Sequence, residues 1–277
     1  VTVETSLSNY QQVEGLQLPA QSRTQVDGRT ILELQLDRYT INGDGTDLAA
    51  PAEAVSARPP APDPPKVEVV EVAAGVWLLA GQSHHSAVVE FDDHLMLIEA
   101  PQGEARTQAV IAAARELAPS KPLTELVVSH HHFDHTAGLR AAIAEGLTVI
   151  THARNAAFVE EMARRSHSRR PDLLEKNPRP VSVRTVSDAL TLRDGAMEVQ
   201  LYEISGNPHA ETLLMAYLPR QRLLIEADAY SPGGSYHPYA ANLLQNIEKR
   251  QLAVDRIVPL HGTVVTLAEL RKDVAAQ

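Results

Sequence analysis

Apolar and polar positions alternate strictly in one early stretch, where Leu32, Leu34 and Leu36 stand against Glu33, Gln35 and Asp37. Successive strand side chains point to opposite faces, so residues 30–37 read as a β-strand with one apolar face. The Asp27-Gly28 pair separates it from another strand-like run at 16–26, and the two predict a β-hairpin. Residues 49–66 read AAPAEAVSARPPAPDPPK and hold 6 of the 18 prolines with almost nothing large and apolar, the composition of an extended spacer. The expected organisation is a β-hairpin segment at 1–48, read as the tail of a larger N-terminal β domain, then a Pro/Ala-rich linker at 49–66 and a main domain at 67–277.

In the main domain, β-rich runs at 67–72, 76–80, 87–91 and 95–99 precede a helical stretch at 104–118 that Pro119 ends. Strand-like pieces then follow at 124–129, 147–151, 197–204, 212–218, 222–227 and 256–260, with helical pieces at 137–145, 153–165 and 239–251. Thr266 stands three residues before Glu269, a capping-box start for a last helix at 266–276. Strands first, then β/α alternation in two halves, predict an α/β fold with two sheets sandwiched between helices.

Composition narrows the chemistry. The 277 residues carry 25 Lys and Arg against 35 Asp and Glu, a net charge of −10 that disfavours a nucleic-acid backbone as partner. No stretch approaches the roughly 18 apolar residues of a membrane span. With no cysteine, disulfides, thiol nucleophiles and thiolate metal sites are excluded, so any metal must be held by His and carboxylate. The chain opens on Val1 without a basic segment or apolar signal core, as expected where an N-terminus has been processed or left out.

The strand TELVVS runs into His130-His131-His132-Phe133-Asp134-His135, an H-x-H-x-D-H pattern at a strand-to-helix junction. Imidazoles two residues apart at a strand end can both reach one metal, while Asp134 and His135 in the next turn face a neighbouring one. This spacing predicts a two-metal centre, whose shells need further donors. His209 lies in the loop 205–209 between two strands, Asp228 ends the run 223–227, and His261 ends the strand at 256–260.

Over about residues 67–277 these features resemble the metallo-β-lactamase-fold superfamily of metallohydrolases. The resemblance implies a four-layer αββα sandwich with its ligands on loops along one edge. It implies His130, His132 and His209 at a first metal, and Asp134, His135 and His261 at a second, with Asp228 bridging. His131 and Phe133 fall at variable positions. The implied cofactor is two Zn²⁺, with iron or manganese as alternatives, and the implied reaction is hydrolysis of a carbonyl-type bond in a small-molecule lactone, β-lactam, ester or thioester. A metal-bridging hydroxide would be the nucleophile, because bound water falls from a pKa of about 15.7 to roughly 7. Asp134 would orient it and pass its proton.

Subfamilies divide the expectation further. The absence of cysteine excludes lactamase subclasses with a Cys ligand, and the remaining subclass usually lacks an acid where Asp228 stands. Glyoxalase II resembles the chain in all seven ligands but has a helical region after them, whereas only 16 residues follow His261 here. Acyl-homoserine lactonases share the ligand set and carry a tyrosine after the bridging acid, near which Tyr230 lies. His132 stands where the diiron flavoprotein branch usually has Glu. A mononuclear-iron enzyme resembling persulfide dioxygenases, or a non-catalytic metal-binding protein, are the alternative readings.

Among further residues, His84 and His85 occupy a turn between early strands and are candidate substrate contacts, as is Tyr230. Ser231, Tyr236, His237 and Tyr239 follow Asp228 in a loop that is expected to line the pocket. The seven basic residues at 160–184 read as a solvated helix face. The N-terminal hairpin resembles the ends of β domains in exported bacterial proteins, which gives the expectation of a periplasmic or secreted setting.

Overall fold

Three antiparallel strands, rather than a two-stranded hairpin, form from the N-terminal segment: β1 (Val3–Val13), β2 (Leu16–Val26) and β3 (Arg29–Gln35), with β2 in the centre. β1 escapes the alternation test because most of its side chains are polar and nearly all are exposed. The computed structural model describes residues 2–57, 63–195, 197–234 and 236–276, and the chain divides into two units, Val1–Asp63 and Pro64–Gln277. In the first unit Ala20 is the one fully buried apolar residue among those described, so this sheet has no core of its own. The Pro/Ala-rich stretch contains one short helix, α1 (Ala52–Ser56), which corrects the reading of an entirely extended spacer; residues 58–62 of that stretch lie outside the described residues.

The second unit has two sheets. The first contains β4 (Glu68–Ala73), β5 (Val76–Ala80), β6 (Ser86–Glu90), β7 (Leu95–Ile98), β8 (Leu123–Val127), β9 (Thr148–His152) and β10 (Val183–Val186), in that spatial order. The second contains β11 (Ala189–Asp194), β12 (Met197–Glu203), β13 (Leu214–Leu218), β14 (Leu223–Glu226), β15 (Arg256–Pro259) and β16 (Val265–Thr266). Helices α2 (Glu104–Leu117), α3 (Phe133–Thr136), α4 (Leu139–Ala144), α5 (Ala156–Arg164) and α6 (Leu173–Lys176) accompany the first sheet, and α7 (Ala240–Lys249) and α8 (Leu267–Ala275) the second. The capping box of Thr266 and Glu269 forms as the sequence predicts.

The central strands are apolar on both faces, as strands covered on both sides must be. Val89, Met96 and Ile98 of the first sheet meet Val199, Leu201 and Ile225 of the second in a shared inner core. Leu97, Leu126 and Val149 turn the opposite way, under Val110 and Ile111 of α2 and Ile143 of α4. Met215, Leu224 and Ile257 pack beneath Leu243 and Ile247 of α7 and Leu270 of α8. The result is the expected αββα sandwich. β7, β8 and β9 run parallel, as do β14 and β15, so carboxyl ends from both sheets gather on one edge. Two backbone hydrogen bonds join the sheets there: Leu214 N–H donates to Ser129 C=O at 3.0 Å, and His85 N–H to Leu260 C=O at 2.9 Å. Among the described residues, no helix is long and apolar enough to cross a membrane.

Candidate metal centre

Beyond β8 the backbone stays extended through His132, which has φ −62° and ψ 147° and caps α3. Extended residues alternate sides, so His130 and His132 turn one way and His131 the other. The His131 ring lies 6.0 Å from that of Phe158, while the His130 and His132 rings lie 4.5 Å apart. The first turn of α3 then presents Asp134 and His135. Glu226 ends β14, and Asp228 follows with φ +62°, a left-handed conformation that Asp tolerates better than most residues.

The structure brings together all seven sequence-derived metal-ligand candidates. His209 Nε2 lies 3.0 Å from His132 Nδ1 and 3.2 Å from His130 Nε2. Asp228 Oδ2 lies 2.9 Å from His209 Nε2, 3.1 Å from His130 Nε2 and 3.0 Å from His135 Nε2. Its other oxygen lies 2.8 Å from His261 Nε2, which is itself 3.0 Å from His135 Nε2. Asp134 Oδ2 stands 3.6 Å from His135 and 3.9 Å from His261. Asp228 thus touches both clusters, the geometry expected of a bridging carboxylate.

This donor set fits metal ions better than hydrogen bonding. His261 Nδ1 faces the Ser83 carbonyl oxygen at 3.0 Å, and a carbonyl only accepts, so the hydrogen sits on Nδ1. As a neutral ring it would present a bare Nε2 lone pair to Asp228 and to His135, an approach that a shared metal cation satisfies and that otherwise needs a second proton on the ring. His135 is arranged the same way, its Nδ1 lying 3.4 Å from the buried Glu99 carboxylate. His130 Nδ1 bonds Ser129 Oγ at 2.9 Å. Holding the outer nitrogen of each ring in this manner aims the inner one.

Without a cation, protons do the neutralising. Burial alone would lower His135, but Glu99 and Asp228 overcome it and raise its pKa to about 10. Burial would raise the Asp228 carboxyl, yet its imidazole partners hold it far below the usual carboxylate range. Burial, with the neighbouring imidazoles, lowers His132 to about 4, and burial also lowers His130. Glu226, wholly enclosed, is pushed up to about 8 while accepting hydrogen bonds from the Ala229 and Tyr230 N–H groups.

A cavity of about 530 Å³ opens over the cluster, with Asp134, His209, Asp228 and His261 at its base. Ser231, Tyr236, His237 and Tyr239 line it as expected, and so does His84. His85 does not: its ring turns back to accept from Gly81 N–H at 3.3 Å, which removes it from the substrate contacts the sequence reading proposed. Tyr230 lines the cavity but is almost fully buried, and its hydroxyl donates to Asp273 of α8 at 2.6 Å. Glu99, Ser129 and Asp273 were not singled out by sequence. An acid closing the otherwise apolar strand LMLI is the signal that points to Glu99.

The family model for the metallo-beta-lactamase superfamily matches residues 79–261. No curated protein matches the chain. Among solved structures, the DIM-1 metallo-beta-lactamase superposes with a TM-score of 0.61 at 17% identity, covering 76% of this chain and 97% of that one. A metallo-beta-lactamase from Pontibacter korlensis gives 0.59 at 19% identity, covering 76% and 98%. FIM-1 from Pseudomonas aeruginosa, in its mono-zinc form, gives 0.59 at 14% identity, covering 76% and 94%.

Proposed function

The chain belongs to the metallo-beta-lactamase superfamily of metal-dependent hydrolases, and from that premise we propose that it is a binuclear zinc enzyme that hydrolyses uncharged lactones or esters. The observation that carries the binuclear reading is the position of Asp228, whose two oxygens reach imidazoles of both clusters. Zinc suits a set of imidazole and carboxylate donors, and a solved neighbour, FIM-1, is described as a zinc form. When bound, the metal pair supplies Lewis acidity and a water acidified toward neutral pH.

The side chains of the cavity do the remaining work. Asp134, its side chain 45% exposed at the cavity wall, is placed to orient the attacking water and take up its proton. Burial favours its protonated form, but in the metal-free site the His84 hydrogen bond and the charge of His135 hold its pKa below the ordinary value, so the carboxyl is ionised there. Tyr239, with its ring 5.2 Å from that of His209, and Tyr236 offer aromatic surface beside the reacting centre. Asp273 anchors this wall from behind, bonding Tyr230 and lying 3.5 Å from His237.

Substrate charge follows from what lines the cavity. Among its described residues there is no Lys or Arg, so a substrate carboxylate would find no side-chain cation to pair with. β-Lactam antibiotics carry such a carboxylate, whereas lactones and simple esters do not. Steady-state assays of the zinc-loaded protein on lactone, ester, thioester and β-lactam panels test the reading. Uncharged lactones or esters should give the highest kcat/KM, and selective β-lactam turnover would contradict it.

A further inference from the structure

The loop between β5 and β6 brings one more imidazole to the second cluster. Gly81 opens this loop with φ +152°, and a Cβ there would lie 2.1 Å from the Lys66 carbonyl oxygen, so only glycine fits. The loop is tied to the opposite sheet twice, through His85 N–H on Leu260 C=O and through Ser83 C=O on His261 Nδ1. His84 is thereby fixed beside His261, their rings edge to face with centroids 4.0 Å apart, and the His135 ring lies 5.6 Å away.

His84 repeats the arrangement of His130. Each follows a serine whose Oγ meets its Nδ1, at 2.7 Å for Ser83 and 2.9 Å for Ser129. Each aims Nε2 at a carboxylate oxygen, 2.9 Å from Asp134 for His84 and 3.1 Å from Asp228 for His130. One donor atom from each of His84, Asp134, His135 and His261 lies within 4.8 Å of the others, the same closeness found for His130, His132, His209 and Asp228. A ring whose outer nitrogen is held by a protein oxygen is preset to offer its inner nitrogen to a metal.

We propose that His84 is a further protein donor to the second metal position, binding through Nε2 beside Asp134, His135 and His261 and making five donors there with the shared Asp228, an inference that rests on the binuclear reading. Both positions then have three imidazoles, with Asp134 completing the second and Asp228 shared. Ser83 is a positioning residue for two of the three rings at the second position, through its hydroxyl on His84 and its carbonyl on His261.

The test loads the whole chain, labelled with ¹⁵N-histidine, with ¹¹³Cd²⁺ and counts imidazole nitrogens that show coupling to cadmium. Two bound ions and six coupled imidazoles are expected, one coupling disappearing in His84→Ala. Chelator competition on that variant should show an affinity loss for one equivalent greater than the ~10–100-fold that removing a supporting hydrogen bond alone costs, and little change for the other. Two bound ions with only five coupled imidazoles in the unaltered protein would overturn the proposal and leave the binuclear reading standing. A single bound ion would overturn both. The count on the unaltered protein does not depend on the variant folding.

Discussion

Glu99 and His135 form an ion pair at 3.4 Å in which both side chains are almost wholly removed from solvent. Glu99 follows β7 in a left-handed conformation, φ +71°, and its other carboxylate oxygen accepts from Ser129 N–H at 2.8 Å. One buried acid therefore sets the ring of His135 and the backbone from which His130 departs. Glu99→Gln keeps the size of the side chain but removes the charge that fixes the His135 tautomer. It should weaken one metal equivalent by roughly 10–100-fold, read by chelator competition, with the far-UV spectrum unchanged. Unaltered affinity would show that His135 needs no such support.

The two clusters should separate by mutation. His132→Ala removes a donor specific to the first cluster, so the metal there and the activity should be lost together while the second position still fills. Asp228→Ala should weaken retention at both positions, because both sets of imidazoles face it. Elemental analysis after gel filtration reads both outcomes, and full metal content with full activity in either variant would sink the ligand assignment.

Tyr230 is expected to act on stability more than on turnover. Its hydroxyl is engaged with Asp273 across to α8, and burial together with that carboxylate raises its pKa well above the usual tyrosine value. Tyr230→Phe should cost about 1.5–3 kcal/mol in thermal or denaturant unfolding, the scale of a hydrogen bond to a charged group. Turnover should change little. A large fall in kcat at unchanged stability would instead place the phenol against substrate.

Arg140 and Asp172, which belong to neither His/Asp cluster, predict an acid-sensitive contribution to stability. The Arg140 guanidinium forks onto both Asp172 oxygens and caps α5 through the carbonyls of Met162, Ala163 and Arg165. Its hydrogen bond holds the Asp172 carboxyl down at about 2. A depressed folded pKa stabilises above the unfolded value, so this contribution is complete above about pH 4 and lost as pH falls toward about 2, on the order of 2 kcal/mol in all. Unfolding free energy measured against pH should be less steep in Asp172→Asn across that window; an unchanged slope would contradict the pair's role.

Much of this was legible in sequence because its signals are local. H-x-H-x-D-H sits in six consecutive residues, and extended backbone followed by one helical turn converts that spacing directly into two clusters. The strand at 76–80 and the Thr266 capping box were legible for the same reason. What could not be read depends on distant chain segments. Which of His84 and His85 enters the site is decided by ties to Leu260 and His261, some 175 residues further along. β1, β10 and β16 are short or polar and are defined by the strands beside them. β11 did alternate, with Leu190 and Leu192 facing inward, and its signal was there to be used.

The most direct test of the central claim is metal content by elemental analysis, on protein purified without added metal or a histidine tag. A bridging Asp228 between two imidazole clusters predicts about two zinc ions per chain, with hydrolysis lost on chelation and restored by zinc. About one iron per chain, or no metal retained after zinc is supplied, would contradict it.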